Sequence, residues 1–413
     1  MIMSLSKRRK VCVVITSRAS YARVRTALTA IRQHPQLELQ LVAGSSLLLS
    51  RYGNALDCIT ADGFRVDAEI FNVVEGENLI TSAKSTGLAL TELATALGNL
   101  RPDIVMSIAD RYETLATAVA AAYMNIPLVH LQGGELSGSI DEKVRHAVTK
   151  LADLHLACSP QAAERIVRMG EPRHKVHVTG CPSVDLAYEV AQSPALDFDP
   201  LKKYGGVGAD VDLTGGFLIV MQHPVTTEYT SAREQVVETL FAVRDVPLSV
   251  LWFWPNVDAG SDATSAGIRQ FREQHRPANL RFFKHMDSLD FLRLAANSRA
   301  IVGNSSVGIR ECAFLGVPVV NIGSRQRGRD RGRNVVDVPH RRDAIRQAID
   351  NQLARPRPEP DTIYGDGHAG ARVAQVLATT SLEIEKTLTF ESDAPSAIAA
   401  PAGAEVDNAL RAA

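Results

Sequence analysis

Carboxylates and an arginine gather where two apolar runs of this chain stop. Asp103-Ile-Val-Met-Ser-Ile108 leads into Asp110 and Arg111. Pro127-Leu-Val-His-Leu131 feeds a glycine turn that carries Gln132, Glu135 and Asp141. An Ala-rich helical stretch, Glu113 to Met124, separates the two runs. Strand, crossover helix, strand is the rhythm of a parallel α/β sheet. Ligands of such sheets sit beyond the carboxyl ends of the strands. Acids placed there can move protons, and an arginine among them can hold an anion. The group reads as a reaction site rather than a scaffold.

The second half repeats the pattern with other chemistry. Phe217-Leu-Ile-Val-Met221 ends at Gln222-His223-Pro224, which aims His223 at a cleft. Histidine is the acid–base group best suited to neutral pH, and a structural histidine is the competing reading. Ala300-Ile-Val302 runs into Gly303-Asn-Ser-Ser-Val-Gly-Ile-Arg-Glu311, which opens a helix. Ser305 and Ser306 there offer hydroxyls and N–H groups to a diphosphate. Glu311, further along that helix, offers a carboxylate to ribose hydroxyls. A serine-capped helix without a ligand is the alternative. The run Val317 to Ile322 ends in a basic loop with Arg325 and Arg329, read as a phosphate clamp over a solvated loop. Near the start, Val11-Cys-Val-Val-Ile15 meets Thr16 to Ser20 and a helix. Arg18 in that turn makes a second anion site or an ordinary surface turn.

Other classes fall away. A formal net charge of −1 gives no bulk attraction to nucleic acid or anionic membrane. No run approaches the roughly 20 apolar residues of a membrane helix. Lys7 to Lys10 before Val11 mimics a signal peptide, but the apolar run is strand-length. Five cysteines without CxxC spacing read as buried, reduced thiols of a cytoplasmic protein. His130, His146 and His155 beside Glu135 and Asp141 match no HExxH or facial triad, so no metal is expected. No GxGxxG follows the first strand, and no Walker A or GxSxG motif occurs, so no cofactor is expected either.

Stepping from these residues to their supports gives two parallel α/β domains facing each other across a cleft. Residues 1–190 form the first, with six strands and a helix from about Leu48 to Ala61. Residues 191–216, rich in Pro, Gly and Asp, read as a linker. Residues 217–365 form the second, with five strands. Residues 366–391 hold a helix, Gly370 to Thr389, that returns to the first domain. Residues 392–413 read as a disordered tail.

Taken together, Thr16 to Arg23, Ala109-Asp-Arg-Tyr-Glu113, Gly133-Gly-Glu-Leu-Ser-Gly-Ser-Ile-Asp-Glu142, Arg145-His146, Gly180-Cys-Pro-Ser-Val-Asp185, His223-Pro224, Pro255-Asn-Val-Asp-Ala-Gly-Ser261, Gly303-Asn-Ser-Ser306 and Arg325-Gln-Arg-Gly-Arg329 resemble the UDP-N-acetylglucosamine 2-epimerases. The loop ending in Asp141-Glu142 and the run ending in Ser261 look like the hydrolysing branch, as in sialic-acid and legionaminic-acid biosynthesis. The resemblance implies a GT-B-like fold of two Rossmann-like domains with a UDP-sugar in the cleft, and a homodimer or homotetramer. It implies elimination of UDP to a 2-acetamidoglucal, then addition of water to give the C2-inverted free sugar.

By motif, Asp110 and Asp141 correspond to catalytic carboxylates and His223 to a catalytic or diphosphate-contacting histidine. Glu135 and Gln132 join that group. Arg18, Arg111, His146, Asn256, Ser305, Ser306, Glu311, Arg325 and Arg329 correspond to substrate contacts. Two positions depart from the family pattern. Gln132 stands where many relatives carry Glu, and Gln cannot be a base. This leaves the sugar open between N-acetylglucosamine and a 2,4-diacetamido-2,4,6-trideoxy sugar. Ala109 stands where Gly is usual, and one methyl there is expected to shift little. The competing readings are a GT-B glycosyltransferase and a non-catalytic UDP-sugar sensor.

Overall fold

The computed structural model describes residues 7–49, 55–76, 78–109, 111, 113–138, 140–255 and 259–389. Asp110, Asn256 and the stretch 392–413 lie outside the described residues. The first sheet contains β1 (Arg9–Ile15), β2 (Leu37–Gly44), β3 (Ala68–Ile70), β4 (Ile104–Ile108), β5 (Leu128–Leu131), β6 (Leu154–Ala157) and β7 (Val176–Val178). All its pairings are parallel, in the order β3-β2-β1-β4-β5-β6-β7. That is seven strands where the sequence suggested six.

Successive side chains of a strand point to opposite faces. Accordingly Val11, Val13 and Ile15 join one core with helix Arg18–Gln33, while Cys12 and Val14 join another under helices Leu79–Leu100 and Thr114–Tyr123. A strand covered on both faces must be apolar throughout, which is why these runs do not alternate.

The second sheet contains β8 (Val207–Gly208), β9 (Phe217–Met221), β10 (Ser249–Phe253), β11 (Leu280–Phe283), β12 (Ala300–Gly303), β13 (Val319–Ile322) and β14 (Val335–Val338). Its order is β14-β13-β12-β9-β10-β11-β8. Two edge strands were not foreseen. β8 comes from the linker-like stretch and pairs antiparallel with β11, and β14 pairs with β13. β8 is two exposed residues and β14 four mostly half-buried ones, so they carry little periodic signal.

The chain then crosses back. Helix Ala369–Thr379 places Val373, Ala374 and Leu377 in the first core. Asp185 accepts the N–H groups of Ala369 and Gly370 at 2.8 and 2.7 Å. The helix ends ten residues earlier than the sequence suggested. Residues 380–389 run on as an irregular strap, with Lys386 2.6 Å from buried Glu171. Of the helix expected from Leu48 to Ala61, Ala55–Ala61 is helical, Ser45–Leu48 is a single turn ending in extended Leu49, and residues 50–54 lie outside the described residues.

Disregarding one extra edge strand in each sheet, both sheets follow the order 3-2-1-4-5-6. The order reverses between β1 and β4 and between β9 and β12, and such switch points are where ligands bind.

Candidate functional site

The first switch point lies among the turns after β1, β4 and β5. Ala109 has φ +59° and Gln132 φ +70°. Left-handed backbone costs a residue with a Cβ about 1 kcal/mol or more, and it persists where surroundings enforce it. Part of that enforcement is visible. Buried His130 sits with Nε2 3.0 Å from the Ala109 carbonyl and Nδ1 3.1 Å from Thr149 Oγ1. Ala109 is therefore a strained position, contrary to the expectation that its methyl matters little. Gln132 is also buried, and its Nε2 donates to Cys181 Sγ at 3.1 Å. Asp141 is the first residue of helix Asp141–Leu151, at the end of the glycine turn. Arg111 pairs with fully buried Glu113 at 2.8 Å. His146 sits 3.0 Å from Glu142 on its own helix.

The second switch point is held by amides. His223 N–H donates to Asn304 Oδ1, and Asn304 Nδ2 donates to the His223 carbonyl, both at 2.8 Å. This two-point tie locks the end of β9 to the end of β12. Gly303 is required there, since its φ is +136° and a Cβ would lie 2.1 Å from the Met221 carbonyl oxygen. The Asn304 carbonyl accepts from Gln326 Nε2 at 2.9 Å and Arg325 Nη1 at 3.2 Å. Burial, with Arg325 alongside, pushes His223 well below the ordinary histidine range, so it is neutral at pH 7.

Ser305 caps a helix of four residues, Ser306–Ile309. The helix breaks at Arg310, and a second short helix, Glu311–Phe314, follows. Glu311 is thus not further along the same helix, as the sequence suggested. It is buried at the break, and burial raises its carboxyl above the usual range against the opposing pull of Arg310 and a hydrogen bond from Ser183.

The two switch points meet. Arg310 Nη2 lies 2.5 Å from Glu135 Oε2, and both side chains are 1% exposed. Arg329 Nη1 lies 3.2 Å from the same oxygen and its Nε donates to the Leu136 carbonyl. Arg145 Nη1 donates to the Glu135 carbonyl at 2.8 Å. Burial alone would raise the Glu135 carboxyl, but Arg310, Arg329 and Arg145 outweigh it and hold it at about 2. Burial and the neighbouring Arg310 push Arg329 down to about 10. Further contacts surround this one. Arg165 pairs with Asp330 at 2.5 Å, Arg23 reaches Ser306 Oγ at 3.3 Å, and Arg18 reaches the Met286 carbonyl at 3.3 Å. Gly138 N–H donates to the Arg325 carbonyl, and a Cβ on Gly138 would strike the Ser324 carbonyl at 1.8 Å.

The structure therefore divides the expected site residues. Arg18, Gln132, Asp141, Ser306 and Arg325 come to the facing strand ends. Glu135 and Arg329 instead form the buried tie between domains. Arg310 and Asn304 were passed over, although both stand inside the quoted run from Gly303 to Glu311. An arginine at a helix break and an amide beside a glycine turn were the available signals. Among the described residues no group of three His, Cys, Asp or Glu is placed to hold a metal ion, and no helix is long and apolar enough to cross a membrane.

Two Rossmann-like sheets facing across a cleft define a GT-B-like fold, and solved structures agree. The UDP-GlcNAc 2-epimerase of Neisseria meningitidis bound to UDP-GlcNAc has a TM-score of 0.74 at 17% identity, over 90% of this chain and 100% of that one. The Methanocaldococcus jannaschii enzyme in complex with UDP-GlcNAc and UDP has 0.72 at 17%, over 89% and 99%. The profile of the family "UDP-N-acetylglucosamine 2-epimerase" matches residues 29–378. A UDP-N,N'-diacetylbacillosamine 2-epimerase (hydrolyzing) of Legionella pneumophila is 33% identical over 91% of this chain and 97% of its own. A UDP-N-acetylglucosamine 2-epimerase of Neisseria meningitidis is 29% identical over 87% and 91%. This chain belongs to the UDP-N-acetylglucosamine 2-epimerase family, and within it to the hydrolysing branch.

Proposed function

We propose that this protein is a hydrolysing 2-epimerase acting on a UDP-linked 2-acetamido sugar. The reading rests chiefly on the likeness along almost the whole of both chains to the Legionella hydrolysing enzyme. In the reaction a base takes the C2 proton, the C1–O bond breaks, UDP leaves, and a C1–C2 double bond forms. Water then adds its oxygen to C1, and C2 takes a proton on the opposite face.

A C–H beside no carbonyl is a weak acid, so the base must be a carboxylate in its anionic form close to that proton. Gln132 cannot serve. Glu135, held at about 2 between two arginines, is a poor base with no room to turn. The role falls to Asp110 and Asp141. The leaving diphosphate needs cations and N–H groups, which Arg18, Arg325 and the turn Gly303 to Ser306 supply. Neutral His223 offers a hydrogen bond there rather than a positive charge. Glu311 takes the ribose hydroxyls.

The sugar is proposed to be UDP-N-acetylglucosamine or its 2,4-diacetamido-2,4,6-trideoxy counterpart. Gln132 in place of Glu, together with relatives of 33% and 29% identity named for the diacetyl sugar, favours the second. Proton NMR in D₂O with each sugar nucleotide tests both points. Free UDP and a C2-deuterated, C2-inverted sugar is the expected result, with faster turnover of the diacetamido substrate. UDP release with C2 still protonated would overturn epimerisation in favour of transfer or simple hydrolysis. Binding without turnover would make the protein a sensor.

A further inference from the structure

Two thiols meet where the first domain rests on the second. Cys158 follows β6, and Cys181 stands just past β7, whose Val178 pairs with Ala157. Gly180, with φ +83°, turns the chain there, and the Cys158 thiol is hydrogen-bonded to Cys181. Both cysteines are free, and neither is more than 1% exposed. Part of their cover comes from the second domain. Ile309 and Tyr364 pack on them, and the Cys181 N–H donates to the Tyr364 carbonyl at 2.8 Å. Parting of the domains uncovers both sulfurs together.

The surroundings treat the two sulfurs unequally. Burial pushes Cys12 up to about 12, and Cys312 and Cys158 well above the ordinary thiol value. Cys181 is the exception. Burial acts on it too, but the Cys158 thiol and Arg310 outweigh it and hold Cys181 below the ordinary value. The contacts account for this. Gln132 Nε2, which can only donate, lies 3.1 Å from the sulfur. Ser183 Oγ lies 3.0 Å away, and its single proton serves either that sulfur or Glu311. Cys181 also stands at the start of helix Pro182–Gln192, whose N-terminal end favours an anion. Arg310 gives Nη2 to Glu135, while its Nε and Nη1 are buried with no partner among the described residues. Such a setting favours a thiolate, which is the reactive form of cysteine.

The geometry points to a modification site: Cys181 and Cys158 form a thiol pair oxidised by peroxide, with Cys181 as the attacking sulfur and Cys158 as the resolving one. The oxidant is a small hydroperoxide, hydrogen peroxide being the simplest. The Cys181 thiolate attacks one peroxide oxygen, the O–O bond breaks, hydroxide leaves, and a sulfenic acid remains. The Cys158 sulfur then attacks Cys181 Sγ. The S–O bond breaks, an S–S bond forms, and the hydroxyl leaves as water with the Cys158 proton. Counting the proton that Cys181 first gave up, two thiols and one peroxide become one disulfide and two waters. Gln132 Nε2 is then left facing a neutral sulfur. The site does not depend on the proposed reaction.

Non-reducing peptide mapping of the full chain, after hydrogen peroxide at neutral pH, tests it. Tryptic cleavage at Arg165, Arg168, Arg173 or Lys175 puts the two cysteines on different peptides. The expected product is those peptides joined, lighter by two hydrogens and parted by dithiothreitol, while the equally buried Cys12 and Cys312 stay reduced. Cys158→Ala should stop at the sulfenic acid, which dimedone captures on Cys181. Cys181→Ser should slow oxidation of Cys158 about tenfold or more, because that thiol is itself raised. Glu135→Gln, which loosens the joint, should speed the pairing. A wild-type pair that stays reduced, or is oxidised no sooner than Cys12 and Cys312, overturns the site. Absence of a dimedone adduct in Cys158→Ala overturns Cys181 as the attacking sulfur. An unchanged rate in Glu135→Gln overturns the second domain as its cover.

Discussion

The two sheets share the strand order 3-2-1-4-5-6, yet their switch points are built by opposite means. After β4 and β5 the backbone is forced left-handed at residues that carry a Cβ, Ala109 and Gln132. After β12 the corresponding bend falls on Gly303, and Asn304 ties the β9 and β12 ends with two hydrogen bonds. The first edge accepts strain and carries carboxylates. The second is relaxed, tied by amides and lined with serines and arginines. Under the proposed reaction, one fold used twice supplies a reacting edge and an anion-holding edge, the division that elimination of a diphosphate requires.

Removing a carboxylate from the first edge probes that division hardest. Asp141→Asn is expected to lower turnover about 10²- to 10⁴-fold, the usual worth of a positioned general base. UDP affinity should stay within about tenfold, because the second edge is untouched. Single-turnover kinetics alongside UDP titration calorimetry separate the two. Near-normal turnover would break the comparison, and a large loss of UDP affinity would blur it.

Next in size is the joint between the edges. Glu135→Gln leaves Arg310 and Arg329 buried around a neutral partner, and breaking such a cluster costs about 3–5 kcal/mol. Denaturant unfolding should show it directly. The wild type carries the matching pH signature. The Glu135 carboxyl sits at about 2 against an ordinary 4.5, so its contribution is complete above the ordinary value and fades as pH falls from there toward 2. His223 acts in the same sense higher up. Held neutral when folded, it makes stability fall as pH drops below 6.5, where the unfolded chain takes up the proton. Equal acid sensitivity in wild type and Glu135→Gln below pH 4.5 would remove Glu135 from the joint.

The smallest effect sharpens the contrast in backbone. Ala109→Gly relieves a left-handed alanine but loosens the unfolded chain, so the net gain should be about 1 kcal/mol or less. The mirror change on the relaxed edge, Gly303→Ala, has no room and should destabilise. Calorimetric midpoints compare them. A loss of stability in Ala109→Gly would mean that the φ of Ala109 is not strained.

Much of this was readable in the chain. Apolar runs of three to seven residues announced the central strands, since a parallel strand covered on both faces has no polar alternation to hide it. The residues at their ends announced both switch points for the same reason, as polarity returns where the sheet stops. Short edge strands such as β8 and β14 were silent, because two to four half-exposed residues leave no periodic mark. The basic loop misled in part. Arg329 looked like Arg325, and nothing local distinguishes an arginine at the strand ends from one that is buried against a carboxylate.

What the sequence determined by itself is therefore local: the strands and their order of appearance, the glycine turns, and which residue types stand at each strand end. What only the tertiary structure decided is which of those residues meet. Glu135 and Arg310 are 175 positions apart, and their pairing exists only once two separately built sheets dock. A carboxylate's chemistry depends on its neighbours' charge and on exclusion of water. The same Glu that reads as a base in the chain becomes, in the closed interface, the pin between two domains.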